Sequence, residues 1–111
     1  MNEKIEKKLL NLLGLASKSD KIVVGQKSLK TYLSNSQRKK FVMFSSDFGE
    51  SMLQIVKKCE NKNISYLKLN IGKEELGKHI GRKAVSAVGI TDETFVDGFL
   101  KIVNRFVSGG K

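Results

Sequence analysis

Apolar residues recur along this chain with alternating helical and strand periods. Ile5, Leu9, Leu12 and Leu13 fall three and four residues apart, which lays one apolar stripe along a helix. Asn2 is placed to cap that helix, Glu3 and Glu6 suit the positive end of its dipole, and Gly14 marks its expected end. Residues 15–20 read as a connection. Ile22, Val23 and Val24 form a short β-branched run, a strand by composition. After Gly25, residues 27–35 read as a second helix with Leu29, Tyr32 and Leu33 inward. Residues 41–46 (FVMFSS) are a buried strand, and Ser46 or Asp47 can cap a third helix carrying Met52, Leu53, Ile55 and Val56. Residues 61–63 break that helix.

The remainder repeats the alternation. Residues 64–69 are a strand, 73–80 a short helix between Gly72 and Gly81, and 85–90 a strand. Thr91 or Asp92 caps a last helix with Phe95, Phe99, Ile102, Val103 and Phe106 on one face. Helices that alternate with strands imply an α/β sheet with helices on both faces. No repeat, low-complexity tract or linker interrupts the pattern. Residues 1–107 therefore read as one domain, and residues 108–111 as a flexible tail.

Composition narrows the class. The chain has 111 residues, 40% of them hydrophobic, enough for one packed core and too few for a second domain. No apolar run approaches the roughly 20 residues needed to span a bilayer. The N-terminus mixes charged and apolar residues without a signal-peptide layout, so the expected location is the cytoplasm. One cysteine, Cys59, and one histidine, His79, exclude an intrachain disulfide and a multi-cysteine zinc site. No metal or cofactor is expected, and a monomer is the default.

Charge changes the picture most. The formal net charge is +10, and the excess is uneven. Residues 1–46 hold ten Lys/Arg against three acids, while residues 84–111 hold three against three. A compact domain with a basic side fits a polyanion, most simply a nucleic acid. A lysine-rich surface that merely confers solubility is the plainer alternative.

Few residues invite catalysis. Gly72, Gly77 and Lys78 match three of the four fixed positions of the phosphate-loop pattern G-x-x-x-x-G-K-[ST]. His79 replaces the hydroxyl that would hold Mg²⁺, and Glu74 and Glu75 would place negative charge where phosphates belong. A short helix in which Gly77 allows close packing is the better reading. His79 has no partner in sequence, and Cys59 reads as a structural thiol, although neighbouring lysines could lower its pKa. The pairs Glu74/Glu75 and Asp92/Glu93 sit at helix starts, where the dipole explains them.

Two segments carry a binding signal. Gly25, Gln26, Lys27, Ser28, Lys30 and Thr31 join a strand end to a helix start rich in donors. A helix N-terminus offers free N–H groups and positive potential, suited to phosphate. Lys27 can donate to a guanine O6/N7 edge, and Gln26 can read an adenine edge or a phosphate. The second segment is Gly81 followed by Arg82, Lys83, Ala84 and Val85, a basic loop whose small apolar residues could pack on a displaced base. Against both stands the reading of Gly25 as a turn and the lysines as a solvated face.

The strings LLGLASKSDKIVVGQKSLKTYL, KKFVMFSSD, EELGKHIGRK and SAVGITD, taken in order, cover about residues 9–92. Together they resemble the L-seven-A-e / L-thirty-e kink-turn RNA-binding ribosomal-protein superfamily, in its small bacterial members. The resemblance implies a three-layer α/β/α sandwich around a mixed four-stranded sheet. It also implies non-catalytic binding of structured RNA, a kink-turn in its finer form, and association with the ribosome or another ribonucleoprotein. In such proteins the helix after the glycine enters the major groove at sheared G·A pairs, and the loop before the last strand covers bases flipped from the bulge. The family pattern G-x-N-E-x-x-K has Lys27, Ser28 and Thr31 at its last three fixed positions here, with Lys30 one residue before the end. Ser28 replaces only part of what a Glu accepts from base amino groups. The alternative function is an accessory protein that acts through protein contacts on a ribonucleoprotein, with no kink-turn selectivity.

Overall fold

The computed structural model describes residues 3–109, with side chains through residue 104. Its elements are α1 (Glu3–Lys18), β1 (Ile22–Val24), α2 (Gln26–Ser34), β2 (Phe41–Phe44), α3 (Leu53–Asn61), β3 (Ser65–Lys68), α4 (Lys73–His79), β4 (Ala87–Ile90) and α5 (Glu93–Gly109). A 3₁₀ turn, Glu50–Met52, leads into α3. The strands form one sheet in the order β1-β4-β2-β3. β4 runs antiparallel to both β1 and β2, and β2 runs parallel to β3, so the sheet is mixed.

The two central strands, β2 and β4, are buried at every position because helices cover both faces. Side-chain alternation along β2 sorts the core into two halves. Phe41 and Met43 join Leu9, Leu13, Leu76 and Phe99, contributed by α1, α4 and α5. Val42 and Phe44 join Leu29, Leu33, Ile55 and Cys59, contributed by α2 and α3. The expected three-layer sandwich is present.

Helix α1 departs from the expected end at Gly14 and runs on to Lys18. Ala16 is fully buried, so the last turn contributes to the core. The stop is a Schellman motif: Lys21 N–H donates to Ala16 O (2.8 Å) and Asp20 N–H to Ser17 O (3.0 Å). Asp20 takes the left-handed conformation, φ 58°, that this stop requires. Gly14 lies inside the helix, where an added Cβ would sit at an ordinary 3.9 Å from the His79 carbonyl oxygen. Gly14→Ala should therefore raise stability by about 0.5–1 kcal/mol through helix propensity. Urea unfolding checks this; a lower midpoint would mean that α1 and α4 cannot accommodate one methyl.

Helices α3 and α4 stop the same way. Asn63 (φ 57°) closes α3 with Ile64 N–H on Cys59 O, and Gly81 (φ 72°) closes α4 with Arg82 N–H on Gly77 O, both at 2.8 Å. Strand ends also shift. Val85 N–H is taken by Lys73 O (2.9 Å), so β4 starts at Ala87 and not at residue 85. β2 ends at Phe44, after which Ser46 N–H turns to Ile71 O (2.7 Å). β3 likewise begins one residue late, since Ile64 N–H serves α3. Leu53, expected inward on α3, is 46% exposed, because Met52, Ile55 and Cys59 set the inward stripe at spacings of three and four and Leu53 falls off it.

Carboxylates bind backbone amides more widely than their sequence positions indicate. Asp47, expected to cap α3, accepts from Lys73 N–H (2.8 Å) and so caps α4. That bond holds the Asp47 carboxyl below its ordinary range. Glu6 is buried and accepts from Asn70 N–H (2.6 Å), while Glu93 accepts from Arg38 N–H (2.9 Å). Asp92, not Thr91, caps α5 through Phe95 N–H (3.0 Å). Asn2 and the last two residues of the expected tail lie outside the described residues, as does the Phe106 side chain.

Candidate nucleic-acid interface

Gly25 ends β1 and precedes α2 with φ 91° and ψ 145°. Positive φ is open to glycine and strained for other residues, and a Cβ here would meet nothing within 4 Å. The turn is thus selected by backbone conformation, with open space in front of it. No side chain caps α2 and its first turn carries no acid. The leading N–H groups and the positive end of the dipole therefore face outward uncompensated. Gly25, Lys27 and Ser28 are exposed, and Gln26 is half-buried.

Gln26 is partly committed. Its side-chain amide donates to Ser51 O (3.3 Å), which ties α2 to the 3₁₀ turn and leaves its own oxygen for a ligand. Thr31 Oγ1 donates back to Lys27 O at 3.4 Å, an ordinary helix back-bond that holds its methyl and hydroxyl on the outer face.

The second segment is shaped by α4. Gly77 is buried, and the loop lies directly on it: an added Cβ would fall 2.7 Å from Arg82 O and 3.0 Å from Ala84 N. The Gly81 stop turns Arg82, Lys83 and Ala84 outward, all exposed. Val85 differs from expectation. Its side chain is 6% exposed and packs in the core with Leu76 and Ile80, so it reaches the groove only at its floor, and Ala84 is the exposed apolar residue of this loop. The phosphate-loop resemblance also dissolves here, because Gly77 and Lys78 lie inside helix α4 and not in a loop before it.

Folding brings the two segments together. Gly25 and Met52 face Arg82, Lys83 and Ala84 across one open groove of about 280 Å³, and no acidic side chain lines it. Lys27, Ser28 and Thr31 line another groove of about 370 Å³, between α2 and the sheet edge at Val23 and Thr91. Lys30 opens into a third. Met52, Ser86 and Ala87 also line the groove and were not site candidates from the sequence; helical spacing marked Met52 only as core, and the other two belong to the approach to β4 and its first residue.

The other chemical candidates stay apart from this surface. Cys59 is buried on the inner face of α3, and burial pushes its thiol up to about 11, so it is not a thiolate at neutral pH. His79 is exposed at the end of α4. Among the described residues no cluster of three metal-ligating side chains occurs, and no helix is long and apolar enough to cross a membrane.

Residues 7–99 match the ribosomal protein L7Ae/L30e/S12e/Gadd45 family. The chain belongs to that family. It is 25% identical over 93 residues to the RNA-binding protein YlxQ of Bacillus subtilis, covering 84% of this chain and 92% of that protein. A protein of unknown function from Bacillus halodurans superposes with a TM-score of 0.77 at 26% identity, over 87% of this chain and 97% of that one. The Giardia lamblia 15.5kD RNA binding protein superposes at 0.80 with 20% identity, over 95% of this chain and 89% of that one, and shares the fold. Family membership agrees with the resemblance of the four sequence strings, and the matched span covers both groove segments.

Proposed function

We propose that this protein binds structured RNA without catalysing a reaction on it, and that a kink-turn is the structure it selects. One observation carries the reading: two donor-rich turns, distant in sequence, face each other across a groove with no acidic lining. The family and the RNA-binding description of the Bacillus subtilis relative support it. Residence on the ribosome or another ribonucleoprotein belongs to the same proposal.

The mechanism has no covalent step. A sharp bend crowds phosphates together, and the helix dipole and nearby cations relieve their repulsion. Lys27 donates to a guanine edge in the groove, with the free oxygen of Gln26 beside it. Arg82 and Lys83 hold backbone, and the Ala84 methyl packs on a base displaced from the bend.

Lys27→Ala should weaken binding to a G·A-containing kinked RNA by about tenfold, the effect of one lost base contact of about 1–3 kcal/mol. An unpaired RNA of equal length should lose less. Fluorescence anisotropy titration measures both; equal losses would reduce Lys27 to a phosphate contact and remove the selectivity.

A further inference from the structure

The cationic surface continues past the cradle. Thr31 and Asn35 line the groove beside Lys27 and also the next one, of about 450 Å³, where Lys30 and Ser34 of α2 meet Lys58 of α3. Lys40 Nζ donates to Asn35 O (2.9 Å) at the far end of α2. Lys62 stands at the C-terminal cap of α3; burial first, and then the charge of Lys62, hold the Lys40 ammonium below the ordinary lysine range, with Glu93 acting in the opposite sense. Cations thus follow one another along α2 and across to the C-terminal end of α3, with hydroxyls and an amide between them.

Among the described residues the two acids near this strip form no ion pair with its lysines, although Glu93 acts on Lys40 through its charge. Glu60 accepts from the Tyr66 hydroxyl (2.8 Å) on the β3 side of α3, and Glu93 accepts from Arg38 N–H. The ion pair formed among the described residues is Lys39–Asp97, which leaves Lys27, Lys30, Lys58 and Lys62 unneutralised. Unpaired like charges at this density are unfavourable alone and favourable against a polyanion. The nine residues of α2 span about 13 Å, a length suited to several successive phosphates and not to a single anion.

Resting on the RNA-binding reading above, we infer that the outer face of α2, with Lys58 and Lys62, is a track for the phosphate backbone of a duplex stem leaving the cradle. The open, shallow surface suits a duplex exterior, which needs charge and donors but no pocket.

The test uses one kinked core in three RNAs: both stems cut short, and either stem lengthened by one helical turn. One lengthened RNA should bind the wild-type protein about tenfold more tightly than the short form. Lys58→Ala with Lys62→Ala should abolish that gain and lower the salt slope for the long RNA by about two. Binding of the short RNA should not change, which also shows that the variant is folded. Lys58→Arg with Lys62→Arg should keep the gain. Equal wild-type affinity for all three RNAs, or an equal loss on long and short forms, overturns the track and leaves the cradle standing; the strip would then serve another partner, such as an acidic protein surface. Failure of the wild-type protein to bind any of the three overturns cradle and track together.

Discussion

Gly89→Ala is expected to destabilise the protein by about 3 kcal/mol, combining overpacking with the loss of buried hydrogen bonds. Gly89 lies in β4, opposite Val23 of β1 and Val42 of β2. A Cβ there would lie 2.8 Å from Tyr32 Cδ2, Tyr32 Cε2 and Val23 Cγ1. The ring cannot retreat cheaply. Its hydroxyl donates to Ile90 O (2.5 Å) and accepts from Phe41 N–H (3.0 Å), which joins α2 to both central strands. Burial pushes this phenol up to about 12, so it stays protonated and able to donate well above neutral pH. Moving the ring leaves the buried Phe41 N–H unpaired, at about 1–3 kcal/mol, while Ile90 O keeps the amide of Gln37 (2.9 Å). Thermal unfolding should drop by about 10 °C or more. A change below about 0.5 kcal/mol in urea, the size of a surface substitution, would show that Tyr32 is not held as described.

Gly77→Ala should lower affinity for the kinked RNA by about a hundredfold, equivalent to about 3 kcal/mol. The added methyl would collide with Arg82 O at 2.7 Å and with Lys83 C and Ala84 N at 3.0 Å, all backbone atoms. Alanine is favoured in a helix by about 1 kcal/mol, too little to offset that collision. The loop must lift off α4, breaking the bond from Arg82 N–H to Gly77 O and carrying Arg82, Lys83 and Ala84 away from Gly25. Arg82→Ala with Lys83→Ala removes two charges and leaves the loop in place, so it should lose less. Anisotropy titration alongside a thermal melt separates the effects. Unchanged RNA affinity in a folded Gly77→Ala protein would place the RNA on another surface.

Neither glycine showed its full role in the sequence. Gly77 could be read as a close-packing position, but not what it packs against. Gly89 was one residue of an apolar strand, and nothing local marks the Tyr32 ring above it. Leu29, Tyr32 and Leu33 were correctly placed inward because helical spacing is a local property of consecutive residues. The end of α1 was misread for a related reason. Glycine is the usual signal for a helix stop, yet this helix stops on Asp20, and Gly14 is kept within it. Asp47 looked like a local cap and serves a helix start 26 residues away.

Periodicity alone established the α/β alternation and the inward faces of the helices apart from Leu53; the distribution of charges established the basic bias of the N-terminal half, and glycine and donor content marked residues 25–31 and 81–85. Those signals lie between near neighbours along the chain, where helix and strand geometry repeat. Only the tertiary structure set Gly25 against Arg82, drew Val85 into the core and brought Lys58 beside Lys30. Each of these depends on how the sheet orders its strands, β1 beside β4 and β4 beside β2, and a contact across such a distance leaves no repeating pattern in either segment.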